Sequence, residues 1–150
     1  MTDPSTTPRF GLPLLAVAQA QKEITHNEAL TLIDALVHAV VEAGPFDDPP
    51  VAPVPGQCWL VGSAPVGDWT GRAAALALWT SGGWRFSAPR AGMRVTRLSD
   101  GARVRFDDGE WTAPTLVGAP SGGSTIDAEA RSVLATLIAQ LAAHGLLMSG

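Results

Sequence analysis

Between residues 74 and 114 the chain meets a Gly-bearing turn every eight or nine residues: Ser81-Gly82-Gly83, then 89–92, Ser99-Asp100-Gly101 and Asp107-Asp108-Gly109. That spacing leaves no room for a helix between turns and selects short antiparallel strands joined by hairpins. The predicted strands are 57–62, 76–80, 84–87, 93–98, 102–106 and 110–113. WTSGGW at 79–84 and FDDGEW at 106–111 share an aromatic residue, a Gly and a Trp at equal spacing. Each reads as a hairpin with aromatic side chains at facing strand positions.

Helical patterns flank this β module. From residue 14 to 44, Leu30, Ile33, Val37 and Val40 recur at steps of three and four, with Leu36 and Val41 widening the stripe. Thr25 and Glu28 have capping-box spacing, and Gly44-Pro45 reads as a helix stop. From residue 124 to 147, Ala130, Leu134, Leu137 and Leu141 follow the same rhythm, with Val133 and Ile138 beside them. Ser124 is the candidate N-cap, and Asp127 and Glu129 suit the positive helix N-terminus. Both arcs are apolar and thinly charged, so Leu30, Ile33, Val37, Val40, Leu134, Leu137 and Leu141 are read as docking or oligomerisation positions.

The remaining segments read as connectors. Residues 1–13 form a Thr/Pro-rich flexible or extended tail. Residues 45–56 contain FDDPPVAPVPG, a semi-rigid proline spacer and the clearest boundary in the chain, and residues 115–123 form a Gly/Pro linker. The fold class is therefore α+β: an N-terminal helix over 14–44, a small antiparallel hairpin and meander module over 57–114, and a C-terminal amphipathic helix over 124–147, assembled through the helices as an oligomer.

Charge is unevenly placed. The segment from Arg72 to Arg105 holds seven arginines, Arg72, Arg85, Arg90, Arg94, Arg97, Arg103 and Arg105, against a single acid, Asp100, for a net +6. The rest of the chain carries three basic residues against thirteen acids, or −10. A basic surface on the β module facing an anionic partner is expected. The sequence has no recognised nucleic-acid motif, so nucleic acid is not an expected partner. The N-terminus lacks a signal-peptide pattern and no segment reads as a membrane span. The single cysteine, Cys58, lies in the apolar run QCWLVG and reads as a buried strand residue.

Catalytic motifs are lacking. His26, His38 and His144 have no metal-ligand spacing, and GxSxG, P-loop, GxGxxG and HExxH patterns do not occur. Asp107 and Asp108 precede Gly109 and read as turn formers. No catalytic residue, metal or cofactor is expected, and the chain is not read as an enzyme. The five tryptophans carry more information. Trp59 and Trp79 read as core. Trp69, beside Asp68 and Thr70 in a Gly-bounded loop, is either core or a sugar-stacking platform, and Trp84 and Trp111 lie between these readings. Asp68, Trp69, Trp84, Arg85 and Trp111 are the candidate glycan contacts.

QAQKEITHNEAL at 19–30, QCWLVG at 57–62, GDWTG at 67–71 and ALWTSGGWRFSAPRAGM at 77–93 together resemble DUF2793, a phage-derived family found in prophages and in gene transfer agents of alphaproteobacteria. The resemblance spans residues 12–111. It implies a virion part, a tail-fibre or baseplate-associated protein, homo-oligomeric with a trimer favoured, which contacts other tail proteins and the host surface. The chain would be made in the cytoplasm, built into a phage-like particle and extracellular after release. The expected function is attachment to the host envelope through an anionic polysaccharide. A free-standing carbohydrate-binding module and an internal virion adaptor are the alternatives.

Overall fold

The computed structural model describes residues 5–16, 22–123 and 127–148. Among the described residues the fold is α+β, with two α-helices and two four-stranded sheets. Helix α1 is Lys22–Leu36, and strands β1 (Val40–Val41) and β2 (Ala43–Phe46) follow it. Then come β3 (Cys58–Val61), β4 (Leu76–Thr80), β5 (Gly83–Ser87), β6 (Arg94–Arg97), β7 (Arg103–Asp107), β8 (Glu110–Thr112) and helix α2, Ala128–Ala143. One sheet runs β2-β3-β4-β5 and the other β1-β6-β7-β8.

The hairpin reading of the module holds, but the strands divide between two sheets. Trp79 faces Trp84 across the β4–β5 hairpin and Phe106 faces Trp111 across β7–β8, so each repeat supplies one cross-strand aromatic pair. Their ring centroids lie 4.9 and 5.2 Å apart. The β7–β8 turn places Asp108 at φ 48° and Gly109 at φ 85°, the left-handed pair a two-residue hairpin loop needs.

Residues 37–44 depart from the expected helix, and residues 45–46 from the expected linker. The chain leaves α1 at Leu36, and Val40–Val41 and Ala43–Phe46 become parallel edge strands, one on each sheet. Edges open on β6 and β3 capture a Val-rich segment that local periodicity would leave helical. The role of Gly44 changes with it. A Cβ there would sit 2.5 Å from the Leu60 carbonyl oxygen, so glycine permits close strand approach and does not end a helix. Thr25 lies inside α1, so it cannot be its N-cap.

The Pro-dense segment is likewise no boundary. The strands on either side of it, β2 and β3, pair directly, and Asp47 Oδ1 accepts the Ala64 N–H at 3.0 Å. It is a loop within one packed unit. Residues 5–13, expected as a tail, form a closed hook. Thr7 N–H donates to Leu12 O at 2.9 Å, Leu14 N–H donates to Ser5 O at 2.7 Å, and Thr7 is buried.

Two cores result. Cys58, Leu60, Leu76 and Leu78 on one face of the first sheet meet Val95, Val104 and Trp111 of the second, with Ala35 and Val41. On the opposite face, Trp59, Val61, Ala75 and Ala77 pack with Trp69 and half-buried Trp79, Trp84 and Phe86. β3 is covered on both faces, which explains its unbroken apolar run Cys58-Trp59-Leu60-Val61.

The C-terminal helix stands apart from both cores. Asp127 caps it by accepting the Ala130 N–H at 2.9 Å; the candidate cap Ser124 lies outside the described residues. The helix buries none of its residues, and Val133, Leu134 and Leu137 are 68, 46 and 52% exposed. Beyond it the chain returns to the β module, where Gly145 O accepts the Arg103 N–H at 2.9 Å.

Candidate functional site

The expected glycan contacts do not form one site. Trp69, on the 3-10 turn Gly67–Trp69, has no exposed surface. It fills the gap between that turn and the first sheet, edge-on to Trp84 at 5.2 Å. With both indole faces buried it cannot stack on a sugar, which corrects the platform reading; Asp68 beside it is exposed. Trp84 is the hub of the aromatic face, edge-on to Trp59, Trp69 and Trp79. Arg85, next along β5, alternates away from that face and pairs with Glu28 of α1 at 3.0 Å. Trp111 faces the core, where its Nε1 donates to Ala74 O at 2.7 Å and ties the two sheets together.

Much of the expected basic surface is satisfied internally. Arg97 forks onto Asp100, with Nε to Oδ1 at 3.0 Å and Nη2 to Oδ2 at 2.6 Å, and donates to Gly44 O at 2.8 Å. The Arg97 hydrogen bonds hold the Asp100 carboxyl below its ordinary pKa. Arg72 lies over the Phe86 ring at 5.1 Å, and Arg105 pairs with Asp107 at 2.9 Å. Cys58 is buried, and desolvation raises its pKa to about 12, which makes it a core thiol and not a nucleophile.

A second group of arginines, which includes Arg105 with its Asp107 partner, faces solvent. Along β6, β7 and β8 the side chains alternate strictly. Val95, Val104 and Trp111 point inward, and Arg94, Arg103, Arg105 and Thr112 point outward. The register sets Arg94 directly opposite Arg105, and Arg105 opposite Thr112. Like charges directly opposite each other destabilise a sheet, and Asp107 offsets only the Arg105 side of this pair. Among the described residues, Arg94 and Arg103 have no ion-pair partner.

The same face is concave. A groove of about 580 Å³ is lined by the three arginines, by Asp107, Asp108 and Glu110 at the hairpin end, and by Ala113, Pro114 and Leu146 along an apolar wall. That volume lies in the range of small-ligand sites. Gly145 builds the wall: its φ is 68°, and a Cβ there would collide with Gly101 O. A smaller groove of about 340 Å³, bordered by Trp111 and Pro45, shares Glu110. The basic window pointed to Arg94, Arg103 and Arg105 without gathering them. The signal that could have done so is the alternation Arg94-Val95 and Arg103-Val104-Arg105, which puts the charges on one strand face.

The sequence model of one family, described as a protein of unknown function (DUF2793), matches residues 26–112. The chain belongs to DUF2793. The match runs from within α1 to the end of β8, so the DUF2793 unit contains both sheets and the three groove arginines. No curated protein matches the chain. Among the described residues, no cluster of His, Cys, Asp and Glu is arranged to hold a metal ion, and no helix is long and apolar enough to cross a membrane.

Proposed function

We propose that this DUF2793 protein is a structural, non-enzymatic component of a phage-like tail, a tail-fibre or baseplate-associated part that attaches to the host envelope. The observation that carries the reading is the uncovered apolar face of α2. Val133, Leu134 and Leu137 stand in solvent on a helix with no charged residue from Ser132 to Ala143. Such a face calls for an apolar partner surface, and the same helix in neighbouring copies supplies one at the 130/134/137/141 rhythm. Leu141 lies half-buried at the end of that rhythm. On this reading the helices join copies of the chain as a homo-oligomer, with a trimer favoured, and leave the β module free to meet an anionic polysaccharide.

The first stripe contributes less than its spacing suggested. Leu30 is half-buried, Ile33 is 48% exposed, Val37 lies just past the helix end and Val40 belongs to β1. An internal adaptor between virion proteins is the second reading, favoured by exposed apolar residues on both helices, Ile33 and Leu36 on α1 and Val133, Leu134 and Leu137 on α2.

Size-exclusion chromatography with light scattering tests assembly. The parent protein is expected to run as an oligomer at micromolar concentration, and Leu134→Asp with Leu137→Asp as a monomer. A parent that stays monomeric overturns self-association. Particles lacking the chain test attachment, since undiminished adsorption to cells would overturn that part.

A further inference from the structure

The geometry points to a binding site for an acidic saccharide, a uronate-bearing chain, on the outer face of β6–β8. This deepens the attachment reading and relocates its ligand site from the Trp69 loop to the groove. Arg94 faces Arg105 across the strand pair, and because Arg105 is already paired with Asp107, Arg94 is the free guanidinium that would take a ligand carboxylate, with Arg105 beside it. Arg103 lies two residues along the same face, a second positive point for a neighbouring acidic ring. From Arg103 to Asp107 the groove floor runs about 13 Å, longer than one sugar ring.

The acids at the hairpin end decide the class of ligand. Asp107, Asp108 and Glu110 line the same groove as the arginines. A densely charged polymer such as a nucleic acid, a sulfated glycan or an acidic peptide would meet them as repulsion. A uronate ring carries one carboxylate and several hydroxyls. Its carboxylate suits the arginine end, and its hydroxyls donate to Asp107 and Glu110. Ala113, Pro114 and Leu146 form an apolar wall for the C–H face of the ring. Thr112, opposite Arg105, adds a hydroxyl within the same face.

Isothermal titration of the purified full chain with a uronate oligosaccharide, a neutral oligosaccharide of equal length, a sulfated one and polyglutamate tests the site. Binding to the uronate chain only is expected, weakened at least tenfold by Arg94→Gln or Arg105→Gln and unchanged by Arg90→Gln, whose side chain lies outside the groove. Glu110→Gln should weaken uronate binding several-fold and raise affinity for the sulfated chain and polyglutamate. Circular dichroism and thermal melting establish that each variant is folded. No uronate binding by the parent, equal binding by folded Arg94→Gln, or tighter binding of the sulfated chain or polyglutamate than of uronate overturns the inference. Loss of the site leaves the attachment reading standing if particles lacking the chain still fail to adsorb. Normal adsorption of such particles overturns that reading while the site stands on its titration.

Discussion

Thr7 Oγ1 donates a 2.8 Å hydrogen bond to Asp34 Oδ1, joining the N-terminal hook to the far end of α1 across 27 positions of sequence. Asp34 is buried and also accepts the backbone N–H groups of Arg9 at 2.9 Å and Phe10 at 2.8 Å. Arg9 in turn donates through Nη1 to the carbonyls of Asp34 and Ala35, capping the helix C-terminus. Helix α1 thus turns a polar residue inward while Ile33 and Leu36 face solvent. Asp34→Ala should lower the unfolding free energy by about 3 kcal/mol and Thr7→Val by about 1 kcal/mol, because buried partners lose their acceptor or donor. Urea titration measures both, and an Asp34→Ala variant as stable as the parent would contradict the latch.

Trp69 and Trp111 are both buried but differ in their indole N–H. Trp111 Nε1 has a partner in Ala74 O, whereas Trp69 Nε1 has none. Replacing each by Phe should therefore cost about 1 kcal/mol more at Trp111 than at Trp69. Trp69→Ala should cost about 3–5 kcal/mol, as expected for a large core side chain. Equilibrium denaturation distinguishes the two Phe variants, and a greater loss at Trp69 would reverse the assignment.

Cys58 should resist Ellman's reagent at pH 8 in the native protein and react fully once urea unfolds it. Burial raises the folded thiol from 9.0 to about 12, so its contribution to stability is complete below pH 9 and declines as pH rises toward 12. Cys58→Ala should flatten that alkaline decline. Prompt labelling of the folded protein would show the thiol to be accessible.

Asp100 gives the opposite slope. Its folded pKa is depressed by Arg97, so the pair's stabilisation is present above the ordinary aspartate range and is lost as pH falls through the folded value. Thermal melts from pH 6 down to pH 2 should show a shallower acid decline for Asp100→Asn than for the parent. Parallel curves would mean that the pair contributes nothing measurable.

The β module was legible because its signals are local. Two-residue turns such as Asp108-Gly109 need positive φ, and the aromatic positions around them are set by counting along the hairpin. Residues 37–46 were not legible, because Val40 and Val41 fit a helical rhythm as well as a strand. The candidate site was half legible. The arginine excess was visible, but Arg85, Arg97 and Arg105 are taken up by Glu28, Asp100 and Asp107, and only strand register sets Arg94 opposite Arg105.

What the sequence alone determined is the α+β class, the hairpins with their paired aromatics, the buried cysteine and the family. These follow from period, turn chemistry and residue identity, which act over a few residues. The tertiary structure decided which edges the 40–46 segment joins, that Trp69 is core, and that Arg94, Arg103 and Arg105 share one concave face. Those outcomes depend on contacts between distant segments, where burial and strand pairing outweigh local preference.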